Sequence, residues 1–100
     1  MTVFNIVRMR VKPEAVDHYV AFHRDRTLDE LPGMVGLNLV RTGDRDYCFV
    51  GEWRDMDALV AARPTMIGYL DTFRDDLEDL GGGLGVTDPI SGEAVVSRHI

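Results

Sequence analysis

The chain has 100 residues, of which 45% are hydrophobic, and 17 acidic against 11 basic side chains give it a formal net charge of -6. This length suits one domain with one core, so we expect residues 1–100 to form a single domain, with roughly the last fifteen as an extended tail. The acidic balance, without a basic stripe, disfavours binding to nucleic acid or to an anionic membrane.

The sequence shows no targeting or membrane-spanning pattern and contains one cysteine. The start lacks the apolar segment and cleavage site of a secretory signal, and no apolar run approaches the about 20 residues of a membrane span. Cys48 is the only cysteine, which excludes an intrachain disulfide and a cysteine-based zinc site. A cytoplasmic protein is therefore expected.

The first predicted elements are a strand and a helix. TVFNIVRMRV alternates with period two, which predicts a strand. One face of this strand is apolar except for Asn5, and the other begins with Phe4 and Ile6. The helix is predicted from Pro13, which is harmless in a first turn, to about Glu30, with His23 on its core-facing stripe.

The second half of the chain predicts a hairpin, a helix and a final extended segment. MVGLNLVRT and DYCFVGEW read as strands joined by GDRD, and Asp55 is a plausible N-cap for the next helix. Pro64 is expected to break this helix, which then continues to Leu80. GGGLG ends it, and VTDPISGEAVV is predicted to be extended around a turn at DPISG.

This order of elements predicts an α+β fold of the ferredoxin-like split βαβ type, with two helices on one face of an antiparallel sheet. The other face, which carries Phe4 and Ile6, remains partly apolar and uncovered. Because large exposed apolar patches usually mark an interface, we expect a homodimer in which two sheets pair face to face.

The segment LPGMVGLNLVRTGDRDYCFVGEWRDMDAL combines several features in a fixed order. They are Pro32-Gly33 before the second strand, an aromatic third strand ending in Glu52-Trp53, and Asp57-Ala58-Leu59 opening the next helix. With the first strand and helix, this pattern resembles the antibiotic biosynthesis monooxygenase (ABM) family of the dimeric α+β barrel superfamily, over about residues 2 to 80.

The resemblance implies a dimeric barrel and a range of activities. Members of the family include cofactor-free oxygenases of polycyclic phenols, haem-degrading enzymes, quinol oxygenases and signal-molecule isomerases. Several oxygenases place an asparagine on the first strand and a tryptophan at the end of the third, where Asn5 and Trp53 stand. Arg63 stands where the family often has a histidine, so the expected axial ligand for haem is missing.

Two of the candidate site residues have both a structural and a functional interpretation. A buried Asn5 needs a hydrogen-bond partner. This partner is either a neighbouring backbone group or a ligand, and in the second case the amide would stabilise an oxyanion that develops on the ligand. Trp53 is either a core residue or a cavity wall that stacks on a planar substrate.

The remaining candidates lie on the helices. His23 is either a satisfied core histidine or a general base. Arg63 and Tyr69 flank the expected helix break and are candidates for substrate binding, against the simpler interpretations of a solvated arginine and a packing tyrosine. His18 is expected at the surface, and no metal site is expected.

Two functions remain open. The first is a cofactor-independent monooxygenase that acts on a small planar aromatic or quinol substrate, with His23 as base, Asn5 as oxyanion donor and Trp53 as stacking wall. The second is a non-catalytic dimeric module of the same fold that binds a ligand or serves a structural role. An enclosed apolar cavity where these three residues converge would favour the first.

Overall fold

The computed structural model describes residues 1–100 and contains one antiparallel sheet and two helices, as the sequence predicts for a ferredoxin-like α+β fold. Strands β2, β3 and β1 are neighbours in that order, and β4 and β5 both pair with the remaining edge of β1. The elements are β1 (Val3–Val11), α1 (Val16–Asp25), β2 (Met34–Arg41), β3 (Asp46–Trp53), α2 (Met56–Phe73), β4 (Leu77–Glu78) and β5 (Asp88–Glu93).

The central strand β1 has the alternation that the sequence predicts. Val3, Asn5, Met9 and Val11 are buried, whereas the intervening residues are half-buried. In the register of the sheet, Asn5 lies opposite Gly51 on β3 and opposite Ser91 on β5. Asn5 is therefore a polar side chain on the helix-facing side of the middle of the sheet.

Helix α1 is shorter than the sequence predicts, because it ends at Asp25 instead of near Glu30. Arg26 already has an extended backbone, with φ -70° and ψ 150°. Beyond it, the Thr27 hydroxyl accepts a hydrogen bond from the Asp29 N–H at 3.3 Å, a local bond that competes with helical pairing. The chain then turns back and buries Leu31 in the core.

Helix α2 is continuous through Pro64, so the predicted break is wrong. Proline removes the hydrogen bond to the carbonyl four residues earlier, which belongs to Val60. Both residues are exposed, and water can therefore solvate the free carbonyl on the outer side of the helix. The predicted N-cap is confirmed, since the Asp55 carboxylate accepts the Ala58 N–H at 2.8 Å.

The end of α2 also differs from the prediction, because the helix stops at Phe73 and not at Leu80. A short 3-10 turn follows, and Leu77 then pairs with Val11 in the sheet. The expected turn at DPISG is part of strand β5, in which Pro89 lies opposite Val7. Pro89 is tolerated there because β5 is an edge strand that needs no second ladder of hydrogen bonds.

The outward face of the sheet is not covered by any element of the chain. Ile6 lies opposite Val50 on β3 and opposite Ile90 on β5, which makes an apolar row across three strands. Ile90 is 64% exposed. Ion pairs of Arg8 with Asp88 and of Arg10 with Asp46 flank this row. No helix has both the length and the hydropathy that a membrane span requires.

Candidate active site

A cavity of about 490 Å³ lies between helix α2 and strands β1 and β5. This volume falls within the range of roughly 300–1,000 Å³ that is typical of small-molecule sites. Its walls are mostly apolar and include Phe49, Met66 and Phe73. The polar side chains that line it are Asn5, His23, Arg26, Arg63, Tyr69, Thr87 and Ser91.

The orientation of the Asn5 amide follows from its partner. The Trp53 indole N–H donates to Asn5 Oδ1 at 2.7 Å. Because an indole nitrogen can only donate, the oxygen of the amide must face Trp53 and the NH₂ group must face away from it. Asn5 Nδ2 has only Met66 Sδ as a partner, at 4.0 Å, and sulfur is a weak acceptor. The amide therefore keeps a donor for a ligand in the cavity.

Trp53 does not line the cavity, which corrects the stacking-wall interpretation. Its side chain is fully buried, at 0% exposure, in a cluster that includes Val3, Leu31 and Leu59. The indole occupies this second part of the core because α2 closes over the end of β3. Trp53 is thus a core residue whose N–H positions Asn5, which itself faces the cavity.

Gly51 makes room for the hydrogen bond between Asn5 and Trp53. A Cβ at this position would collide with Asn5 Oδ1 and would lie 3.0 Å from Trp53 Nε1 and 3.1 Å from Phe49 Cε1. A side chain between the two strands would therefore force this hydrogen-bonded pair apart.

We expect Gly51→Ala to lower the free energy of unfolding by about 1–3 kcal/mol, the usual cost of overpacking a core. Urea denaturation followed by circular dichroism measures this change. Gly36→Ala is a matched control on β2, because its added Cβ would meet nothing closer than 4.0 Å. Equal stability of the two variants would contradict the packing described for Gly51.

His23 lines the same cavity from helix α1. The residue is 7% exposed, and neither ring nitrogen has a hydrogen-bond partner. The rings of Tyr19, Phe22, Phe49 and Phe73 surround the imidazole at centroid distances of 4.8 to 5.8 Å. Burial first, and then the nearby charge of Arg26, lower the pKa of His23 to about 4.

This environment predicts a pH-dependent loss of stability. The pKa of His23 is 6.5 in the unfolded chain and about 4 in the folded chain. Acidification between these values therefore protonates His23 in the unfolded state preferentially, which favours unfolding. The free energy of unfolding should fall by about 2 kcal/mol between pH 7 and pH 5 through this one group. His23→Phe should remove this component from a set of denaturation curves at stepped pH.

His99→Phe, in the exposed C-terminal segment, provides the control for that series. Its pH dependence should match the wild type. If His23→Phe loses stability with acidification as steeply as the wild type, His23 is not the buried neutral group described above.

The two predicted substrate-binding residues on α2 both border the cavity but differ in burial. Arg63 is exposed, whereas Tyr69 is half-buried and donates its hydroxyl to Glu30 Oε2 at 2.8 Å. The hydrogen bond to Glu30, followed by desolvation, raises the pKa of Tyr69. His18 is exposed and pairs with Asp76, outside this cavity, as expected for a surface residue.

Arg26 and Ser91 also line the cavity, and neither is among the site residues predicted from the sequence. Arg26 follows Tyr19 and His23 at the i, i+4, i+7 spacing of one helix face, and this spacing was a usable signal. Ser91 is adjacent to Asn5 only because β5 pairs with β1, and this register is not visible in the sequence.

Known proteins share this arrangement of strands and helices. Similar structures include Rv0793 from Mycobacterium tuberculosis (15% identity, TM-score 0.76, covering 99% of this chain and 100% of that one). NE2512, a protein of unknown function from Nitrosomonas europaea, shows 12% identity and a TM-score of 0.74, covering 99% and 94%. SnoaB, a cofactor-independent oxygenase from Streptomyces nogalater, shows 19% identity and a TM-score of 0.62, covering 96% and 95%.

These identities establish the similarity of the fold alone. No curated protein sequence matches the chain. The family model for antibiotic biosynthesis monooxygenase, in contrast, matches residues 2–65, which is more than half of the chain and includes Asn5, His23, Gly51 and Trp53. The chain therefore belongs to the antibiotic biosynthesis monooxygenase family.

Proposed function

We propose that this protein is a cofactor-independent monooxygenase that oxidises a small planar phenol or quinol in the cavity between α2 and the sheet. The observation that carries the proposal is the meeting of two buried polar groups at one apolar cavity. The Asn5 amide offers a donor, and the His23 imidazole offers an unpaired nitrogen. Membership of the family agrees with this assignment.

The proposed roles follow from ordinary acid–base chemistry. The neutral His23 imidazole accepts the phenolic proton of the substrate, and the Asn5 NH₂ donates to the oxygen on which negative charge develops. Phe49 and Phe73 form an apolar wall that excludes water and contacts the flat face of the substrate. Trp53 holds the amide in the donating orientation through its 2.7 Å hydrogen bond.

An anthrone, a tricyclic aromatic ketone with a central methylene group and a phenolic enol form, illustrates the balance of the reaction. Its deprotonated form gives one electron to O₂, and the resulting radical and superoxide combine in a new C–O bond. The peroxide takes up a proton, the carbon loses its second hydrogen, and the O–O bond breaks. The methylene becomes a carbonyl, and one oxygen atom leaves as water. The substrate is the reductant of O₂, so this route requires no cofactor.

A second function, a non-catalytic ligand-binding module, is favoured by one observation. A pKa of about 4 makes the His23 imidazole a weak base toward a phenol in the absence of a ligand. Under this alternative the same cavity binds a planar molecule without converting it. The two functions are distinguished by turnover, since both predict binding.

Oxygen uptake tests the proposal directly. The wild-type protein, incubated with a panel of quinols and anthrones, should consume O₂ faster than the uncatalysed reaction with at least one of them. His23→Phe should lose this acceleration, whereas His99→Phe should retain it. Binding of panel compounds without any acceleration of O₂ uptake would instead support the ligand-binding module.

We also propose that two copies of the chain pair through the uncovered face of the sheet. The apolar row of Ile6, Val50 and Ile90 supports this, because Ile90 is exposed and Ile6 and Val50 are only half-buried. Sedimentation equilibrium at micromolar concentration should give twice the chain mass of 11.2 kDa. Ile6→Glu should shift the mass to that of one chain, and Val60→Glu, on the exposed side of α2, should not. A single-chain mass for the wild type would contradict the pairing.

A further inference from the structure

The guanidinium group of Arg26 is the feature of the cavity for which the proposed function has no role. Two of its nitrogens, Nε and Nη2, are out of contact with solvent and have no hydrogen-bond partner. Burial lowers the pKa of Arg26, and the other groups that affect this pKa are the phenols of Tyr69 and Tyr19 rather than a carboxylate. Arg26 therefore carries a charge that no acidic side chain neutralises.

The distribution of ion pairs makes this arrangement unusual in an acidic chain. Six arginines pair with carboxylates, and those left without an ion pair are Arg26, Arg41, Arg63 and Arg98. The first three each border a cavity. Buried charges are normally paired, because an unpaired one loses its hydration without compensation.

Aromatic rings surround the guanidinium group of Arg26, and none of them supplies an oxygen acceptor to Nε or Nη2. The carbon Cζ lies 4.9 Å from the ring centre of Tyr69 and 5.5 Å from that of Phe49. Such cation–π contacts attract the charge but leave the N–H donors without an oxygen acceptor. The N–H donors point outward in the plane of the group, where they match the two oxygens of a carboxylate.

His23 adds a second unsatisfied group at the same place. It lines the cavity beside Arg26, and both of its ring nitrogens lack partners. A bound anion would accept hydrogen bonds from both side chains and would offset the Arg26 charge that disfavours imidazolium. A carboxylate next to these groups would therefore raise the pKa of His23 toward the range in which an imidazole is an effective base.

We propose that the ligand of this cavity is an aromatic carboxylate, with its anionic group held by Arg26 beside His23 and its ring directed toward Asn5. This inference rests on the proposed function, because it names the substrate class of the same site. The carboxylate that neutralises Arg26 thus belongs to the ligand and not to the protein. Arg63, which is exposed, is a second cation that lines the same cavity.

A second cavity, of about 640 Å³, makes it possible to test which of the two cavities binds the anion. His23 and Arg26 border both cavities, whereas Arg63 borders only the first and Arg41 only the second. An anion bound in the first cavity should thus depend on Arg26 and be insensitive to Arg41, which is exposed and unpaired. Arg41→Gln is therefore a control with the same change of charge.

Isothermal titration with naphthol and with hydroxynaphthoate tests this inference without requiring turnover. The two probes share one phenolic ring system and differ by a carboxylate. The wild type should bind hydroxynaphthoate at least about 10-fold more tightly, as expected for charge-assisted hydrogen bonds. Arg26→Gln should abolish this preference by weakening the binding of hydroxynaphthoate. Arg41→Gln should retain the preference, and Arg26→Lys should retain part of it.

Three outcomes would overturn the inference. They are equal affinity of the wild type for the two probes, binding of neither probe, and a preference that survives Arg26→Gln or is lost in Arg41→Gln. Thermal unfolding of each variant with and without probe separates lost binding from lost folding. Carboxylate binding without O₂ uptake would refute the proposed function alone, whereas O₂ uptake with uncharged phenols only would refute this inference alone.

Discussion

Replacing Asn5 with alanine is expected to lower kcat for phenol oxidation by about 100- to 1000-fold, the usual effect of removing one donor to a developing oxyanion. The amide oxygen is already held by Trp53, so under the proposed function the NH₂ group is the part of Asn5 that would donate to the substrate. Because this hydrogen bond strengthens as charge builds on the substrate oxygen, the loss should appear in kcat more than in KM. Stopped-flow measurement of O₂ consumption gives both constants.

Met66→Leu is the matched control for this variant. The leucine removes the sulfur atom that Asn5 Nδ2 contacts at 4.0 Å but keeps a similar volume in the wall of the cavity. Its kcat should remain within a few-fold of the wild type. Two results would show that Asn5 does not stabilise the oxyanion. They are a Met66→Leu variant as impaired as Asn5→Ala, and an Asn5→Ala variant with full kcat.

Trp53→Phe is expected to lower the free energy of unfolding by about 2–4 kcal/mol, the largest effect on stability among the variants considered. The smaller ring leaves space in a fully buried cluster, and the oxygen of Asn5 loses its only donor. Urea denaturation measures the effect. Since Trp53 does not line the cavity, any effect on kcat should arise through the orientation of Asn5.

A double-mutant cycle isolates the hydrogen bond from the loss of volume. Asn5→Leu removes the acceptor, so combining it with Trp53→Phe leaves no unsatisfied amide oxygen in the core. The double variant should be more stable than the sum of the two single effects predicts, by about 0.5–3 kcal/mol. Strict additivity would mean that the hydrogen bond contributes nothing to the fold.

The sequence predicts best those features of the site that depend on hydrophobic periodicity alone. The alternation along β1 correctly places Asn5 among buried residues, and the stripe on α1 correctly places His23 toward the sheet. The N-cap at Asp55 is likewise a local property, because its carboxylate bonds within the first turn. These features depend on neighbours in the chain and not on distant contacts.

The features that were missed depend on register and solvation. The indole of Trp53 reaches Asn5 because β1 and β3 pair with Gly51 opposite Asn5, and a register of this kind cannot be read from one strand. Pro64 predicts a break in α2, yet the exposure of this turn to water makes the lost hydrogen bond tolerable. Ser91 borders the cavity through the pairing of β5 with β1, which is likewise a matter of register.

Oxidation of an anthrone under ¹⁸O₂ is the measurement that tests the central claim most directly. The wild-type protein should place one labelled oxygen in the new carbonyl group, at a rate that depends on Asn5 and His23. Unlabelled product, or labelled product formed equally fast by the wild type and an Asn5→Ala, His23→Phe double variant, would contradict the assignment of this cavity as an oxygenase site.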